Sequence, residues 1–320
     1  MYKNEIRDLL SNKDKEIFDK IENHFLLGAT NHIKAIGDMI QNISENPNYS
    51  LEESKNKIKK IAMYYINTRG KASKAIINAI CIMIKDIDSK NSSTEIIKQK
   101  NSYFLDNEKN KKKILEYAVN ISKKFQTIMC YDYSSMVEAF LIELSKDNKN
   151  RTIYIPESRI INGGEPFIKS IINLNYDIKF IPDCSVFYFM NLCEACYMGA
   201  ETIYPDGTGF NTTGSDLIGL VCNYLHKPLY FITPMIKLDT NFFHGIEKKT
   251  VIDDLKEKMT CNWKITNIEK IDFNVPELIG VKSDFIEAFI TEYGIIPAKQ
   301  MYSVANNYAK LLNKGVKNHE

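Results

Sequence analysis

Five short stretches gather the groups able to hold or move charge. They are Tyr131-Asp132-Tyr133-Ser134-Ser135, Pro156-Glu157-Ser158-Arg159 with Asn162-Gly163-Gly164, Pro182-Asp183-Cys184, Gly199-Ala200-Glu201, and the run from Asp206 to Ser215. Between them they supply carboxylates, one arginine, hydroxyls and glycines. The hydroxyl of Ser134 or Ser135 suits either of two tasks, capping a helix or gripping a phosphate beside free N–H groups. Arg159 offers a fixed donor fork, which fits an anion or a surface carboxylate. Asp206-Gly207 reads as a turn. Gly209 and Gly214, with Asn211 between them, suggest backbone drawn close to a ligand just before a helix start. The chemistry implied is anion binding. No G-x-G-x-x-G follows the first strand and no Walker sequence occurs, so no dinucleotide or other cofactor is expected.

These stretches need elements to bring them together. Short apolar runs precede them: Thr127–Cys130, Thr152–Ile155, Ile178–Ile181, Ala195–Met198, and later Leu229–Ile232. Such runs, bounded by Asp, Gly, Pro or Asn, are the pattern of strands buried on both faces of a parallel sheet. Helical candidates alternate with them at Ser135–Leu144, Gly164–Leu174, Val186–Leu192 and Ser215–Leu225, and Phe285–Thr291 and Lys299–Leu312 read as closing helices. The expectation is an α/β fold, a Rossmann-like doubly wound parallel sheet with ligands outside the carboxyl ends of its strands. Before residue 115 the period is helical instead, as in Ile33, Ile36, Met39, Ile40 and in Ile58, Ile61, Ala62, Tyr65. The expected domains are therefore a helical N-terminal domain over 1–115 and the α/β ligand-binding and oligomerisation domain over 116–320.

Bulk properties narrow the function. The 320 residues carry 42 Lys+Arg against 40 Asp+Glu, a net charge of +2. That balance argues against a dedicated nucleic-acid or membrane-surface binder. No apolar run reaches the roughly 18 residues of a membrane span, and the N-terminus has no signal-peptide core, so a cytoplasmic location is expected. Of the seven cysteines, Cys193 and Cys196 form one C-x-x-C. It lacks a second pair or matching histidines, so no metal site is expected, and two buried thiols at a helix–strand junction are the plain reading. Phe187, Tyr188, Phe189 and Met190 form an aromatic run that reads equally as core or as an interface.

The order of these stretches resembles the family of initiation factor 2B alpha, beta and delta regulatory subunits. Its superfamily also holds methylthioribose-1-phosphate and ribose-1,5-bisphosphate isomerases. Glu157-Ser158-Arg159 with Gly164 resembles the Glu-[Ser/Thr]-Arg-Pro…Gly element. Pro182-Asp183 resembles the third-strand Asp. Gly199-Ala200-Glu201 through Asn211…Gly214-Ser215 resembles the Gly-Ala-[Asp/Glu]…Asn-Lys-x-Gly-Thr segment, and Thr291-Glu292-Tyr293-Gly294 the C-terminal Thr-[Glu/Asp]-x-Gly. Thr68-Arg69-Gly70 resembles the Arg-Gly element that reaches the sugar phosphate in the isomerases. The resemblance implies a ligand site formed by Arg69, Gly70, Ser134, Arg159, Gly164, Asn211 and Gly214, set between the two domains, and assembly into homodimers or larger rings.

The departures bear on activity. The resemblance puts Asp132 where the isomerases have a catalytic Cys, Glu201 where they have an Asp, Thr212 in place of a Lys, and Ile160 in place of a Pro. The favoured expectation is a regulatory or sensing protein of the translation-initiation type, binding a phosphorylated sugar or nucleotide. The alternative is a sugar-phosphate isomerase in which Asp132 and Glu201 form an acid/base pair, since close carboxylates push each other's pKa values apart.

Overall fold

The structure, a computed structural model, describes residues 3–313 apart from 24, 27, 247–249 and 266. Its described residues form two compact units. One holds 3–110 with 236–238 and 304–313, and the other 111–235 with 239–303.

The first unit is helical: α1 (Lys3–Asp8), α2 (Asn12–Glu22), α3 (Ala29–Ser44), α4 (Leu51–Asn67), α5 (Arg69–Ala72), α6 (Lys74–Met83) and the first part of α7 (Ser93–Ser122). Local chemistry sets the starts. Ser11 accepts the Asp14 N–H to open α2. Ser50 and Glu53 form a capping box at α4, just after the break at Pro47-Asn48. The stripes Ile33, Ile36, Met39, Ile40 and Ile58, Ile61, Ala62, Tyr65 all enter one core. Each large member removed from water contributes about 1.5–3 kcal/mol. Helix α7 supplies both units: Ile96 and Tyr103 lie in the helical core, Ile114 and Ala118 in the α/β core. The change of period near residue 115 thus falls inside a helix.

The second unit runs β1 (Thr127–Cys130), α8 (Ser135–Leu144), β2 (Arg151–Pro156), α9 (Gly164–Ile171), β3 (Tyr176–Ile181), α10 (Val186–Met190), β4 (Ala195–Met198), β5 (Thr202–Ile203), β6 (Gly209–Thr212) and α11 (Ser215–Tyr224). It continues with β7 (Leu229–Ile232), β8 (Ile252–Asp254), α12 (Lys256–Thr260), β9 (Asn274–Pro276), β10 (Leu278–Val281), β11 (Ala288–Thr291), β12 (Gly294–Pro297) and α13 (Met301–Asn313), the last of which continues into the helical unit's share of the chain. The main sheet has the order β12-β11-β7-β4-β1-β2-β3, parallel except for the β11–β12 hairpin. Ile128 of β1 faces Ile153 of β2 and Ala195 of β4. The fold is α/β with a doubly wound, mostly parallel sheet, and β6 joins β5 and β10 in a separate small sheet. Among the described residues no helix is long and apolar enough to cross a membrane.

All five expected strands form, and Ser135–Leu144 is a helix end to end. The expected helix at Phe285–Thr291 does not. Ser283–Phe285 is one 3-10 turn, and Ala288–Thr291 is a strand between β7 and β12 with all four residues buried. A short apolar run carries no period to separate strand from helix, and the unfilled sheet edge at β7 decides it. Gly209–Thr212 likewise pairs with β10 and β5 instead of forming part of a loop.

Candidate functional site at the carboxyl ends of the strands

Strands β2, β1, β4 and β7 are parallel neighbours, so the segments that follow them leave from one edge of the sheet. The chain leaves β1 through Tyr131 and places Asp132 in the left-handed region, at φ 57°. The Asp132 carboxylate is 3% exposed. Its Oδ1 accepts a hydrogen bond from Ser158 Oγ at 2.8 Å and its Oδ2 one from Thr212 Oγ1 at 2.8 Å. Burial raises its pKa, the bonds from Thr212, Ser158 and the Tyr133 N–H oppose the rise, and the charge of Asp183 adds to it. Gly163 passes so close to Oδ1 that no Cβ fits there. One carboxylate therefore ties the tip of β1 to the loop after β2 and to β6.

Asp183, just beyond β3, braces the same loop. Its two oxygens accept the N–H groups of Ser158 and Arg159 at 2.9 and 2.8 Å. The N–H groups of Ile161 and Gly163 turn inward to Ser158 O, and that of Gly164 to Glu157 O. Ser158 and Asn162 hold positive φ, 48° and 55°, to close this turn. Five of the loop's backbone donors, those of residues 158, 159, 161, 163 and 164, are thus used internally. The Arg159 side chain is 57% exposed, and its guanidinium lies a loose 3.8 Å from Glu157. Arg159 is the group this loop holds outward.

The remaining predicted residues occupy helix starts. Ser134 stands at the N-cap of α8, yet its hydroxyl makes no capping bond. It lies instead against the bare α-carbon of Gly199. Gly164 opens α9, close against the Pro156 carbonyl. Gly214 caps α11 at φ 103°, beneath the Tyr131 hydroxyl, which donates to Thr213 O at 3.1 Å. A side chain there would meet both backbone strain and the Tyr131 ring. Buried Asn211 donates to Ser215 Oγ at 3.1 Å and so frames the α11 start. Helices α8, α9 and α11 all begin without a side-chain cap. At α8 and α11 the helix start and its positive dipole end favour an anion, whereas the first two N–H groups of α9, those of Gly164 and Glu165, already bond to Glu157 O and Asn162 O. Half-buried Glu201 follows β4, and its N–H donates to Phe210 O at 2.7 Å.

Arg69 and Gly70 belong to α5 in the helical unit. Arg69 donates to Glu22 O and Oε1 at 3.4 Å, and its Nε has no partner among the described residues. Glu22 also accepts the Tyr64 hydroxyl at 2.8 Å. Gly70 packs against Ile77, where a Cβ would collide.

Two readings resolve as packing. Asp206 accepts the Thr208 N–H at 2.8 Å around Gly207, an ordinary turn. Cys193 and Cys196 are fully buried, burial pushes the Cys193 thiol up to about 12, and its Sγ donates to Phe189 O. Sequence reasoning placed Asp183 among the acidic groups of the site and left Ser158 and Thr212 out of it. Ser158 and Asp183 stood in recognised elements, and the signal for Thr212 was its place beside Asn211.

An open, mostly parallel sheet with uncapped helix starts and one outward arginine at its carboxyl edge, preceded by a helical unit, defines a doubly wound α/β protein. The chain belongs to the initiation factor 2 subunit family, whose sequence pattern matches residues 28–298. A ribose 1,5-bisphosphate isomerase of Methanocaldococcus jannaschii is 24% identical over 94% of this chain and 96% of its own length. Among solved structures, a translation initiation factor eIF-2B of Pyrococcus horikoshii superposes with a TM-score of 0.72 at 15% identity, over 90% of this chain and 98% of that one. A 5-methylthioribose 1-phosphate isomerase of the same organism gives 0.71 at 17% identity, over 94% and 92%.

Proposed function

We propose that this protein is a sensing or regulatory member of its family that binds a phosphorylated sugar or nucleotide at the carboxyl ends of β1, β2 and β4. One observation carries the reading. Two of the four positions that depart from the isomerase pattern, Asp132 and Thr212, bond to one another, and Ser158 takes the other carboxylate oxygen. Asp132 then holds the site together and is not a free proton carrier. Arg159 and the starts of α8 and α11 keep the anion frame. A thermal-shift screen with ribose phosphates, methylthioribose phosphate and purine nucleotides tests this, because a ligand bound only by the folded state stabilises by RT ln(1 + [L]/Kd). Stabilisation without change in the ligand's NMR spectrum is the expected result. Arg159→Ala should weaken binding about tenfold or more, roughly 1.4 kcal/mol, with the unliganded melting temperature unchanged. An equal shift in variant and wild type would put the anion elsewhere.

The isomerase reading has its own support, the near full-length relative of that name. In it, buried Asp132, with its raised pKa, serves as the acid and Glu201 as the base. Conversion of an aldose phosphate to a ketose phosphate in the same NMR samples would decide for it.

Homo-oligomer formation belongs to the same proposal. Helix α11 buries Ile218, Val221 and Cys222 on its own sheet but also exposes Leu217, Leu220 and Tyr224. Phe187 and Tyr188 of α10 extend this face, with Phe187 and Tyr224 rings 5.8 Å apart, while Met190 turns into the core. A helix apolar on both faces calls for cover on both, and a mainly apolar face, with Asp216 at its edge, can meet its own copy in an isologous contact. Leu220→Glu should shift the mass measured by light scattering toward the monomer at micromolar concentration, leaving the melting profile of the monomer intact. An unchanged mass would exclude this face.

A further inference from the structure

By the resemblance Thr212 stands where the isomerases carry a lysine, and the structure brings another lysine to the loop that follows β2. Lys258 lies on α12, within the arm that runs from β8 to β9. Its Nζ donates to the carbonyl of Ile160, 98 positions away in sequence and next to Arg159. Its neighbour Lys256 pairs with Glu269 at 2.9 Å, whereas Lys258 pairs with no carboxylate among the described residues.

We propose that Lys258 is a ligand-binding residue of this site, the second cation that, with Arg159, holds a phosphate monoester dianion. The proposal rests on the anion-site reading above. The internal bonding of the loop favours a side chain. Asp183 occupies the N–H groups of residues 158 and 159, and Ser158 O and Glu157 O occupy those of 161, 163 and 164. With five of its N–H groups engaged, the loop offers little backbone nest for phosphate, and charged side chains supply the stronger grip. A phosphate monoester carries a charge near −2 at neutral pH, more than one guanidinium balances. The Ile160 carbonyl uses one of the three ammonium donors of Lys258 and aims the group at the loop, leaving two donors for phosphate oxygens. Ile160 stands where the family pattern has Pro, so the carbonyl that seats Lys258 belongs to a second departure position.

The arm carries its own reporter. Trp263 is the protein's single tryptophan, 43% exposed and packed edge-on against Phe273 at 5.9 Å, five residues beyond Lys258. The test titrates the full chain with inorganic phosphate and with ribose 5-phosphate, reading Trp263 emission and melting temperature together. The wild type should give a saturable change in both. Lys258→Met should weaken binding about tenfold, Lys258→Arg should stay within about threefold of wild type, and neither should move the unliganded melting temperature. If Lys258→Met binds as wild type while Arg159→Ala does not, the role of Lys258 is overturned and the site stands. If neither variant alters binding, the site assignment itself is what fails, and this inference with it.

Discussion

Arg151→Met should destabilise the α/β unit by about 1–3 kcal/mol, the usual cost of leaving a buried hydrogen-bonding group without its partner. Arg151 opens β2 and is 0% exposed. Its guanidinium grips Asp147 with two bonds of 2.7 and 2.6 Å, and its Nε donates to the Phe125 carbonyl at 2.9 Å. Met fills the space of the stem but leaves that carbonyl and one face of Asp147 without donors. The bond from Arg151 also lowers the Asp147 pKa from 3.8 to about 2. A depressed acid contributes stability above its unfolded pKa and loses it as pH falls through the folded value. The gap between wild type and variant should therefore narrow as pH drops from about 4 to about 2. Urea midpoints at pH 7 and at pH 3 measure both effects. A loss below about 1 kcal/mol at pH 7 would mean that the pair only balances its own desolvation. Arg151→Lys should recover only part, because one ammonium cannot reproduce the two-pronged bond.

That residue also marks the limit of what sequence patterns reveal. Thr127–Cys130 and Ala195–Met198 were legible because a central parallel strand is apolar on both faces, and the polar breaks around them fix their ends. Nothing local distinguishes Arg151 from a solvated charge at a strand start. Its burial depends on Asp147 and on the carbonyl of Phe125, which come together only in the folded unit. Ala288–Thr291 failed for a related reason, since its partners on both sides lie outside the window that contains it.

The candidate site shows the same division. Arg159, Gly164, Asn211 and Gly214 could be found from residue type and order, because turns and helix starts leave local signatures. What could not be found was the bonding that unites them. Asp132 meets Ser158 across 26 residues and Thr212 across 80, and Lys258 meets Ile160 across 98. A hydrogen bond between side chains so far apart leaves no mark on spacing. The result changed the meaning of Asp132: alone it suggested an acid/base group, and with both oxygens engaged it reads as the keystone of a binding loop.

Asp132→Asn separates these two roles and should have the opposite sign to most core substitutions. Burial raises the Asp132 pKa above its unfolded value, despite three opposing bonds. An acid whose folded pKa is raised contributes its full stability below the unfolded pKa, and that contribution is lost as pH rises through the folded pKa. Above the folded pKa the native state carries a buried, incompletely compensated charge. Asn removes it while keeping the shape and an acceptor, and its amide can donate to Ser158 Oγ or Thr212 Oγ1, which rotate to accept. Asp132→Asn should thus raise stability by about 1–2 kcal/mol at pH 8, with the gain fading toward zero below about pH 4, where the wild type is neutral as well. Melting temperatures across pH 4–8 give the profile, and a variant less stable than wild type at pH 8 would show the ionised carboxylate to be a net stabiliser. The ligand experiment adds the second axis. A keystone held by hydroxyls is served by Asn, so phosphate-monoester binding should survive within about threefold. Asn cannot exchange a proton as an acid does, so an isomerase would lose turnover by two orders of magnitude or more. Binding retained with no turnover in either form is the outcome expected of a sensor.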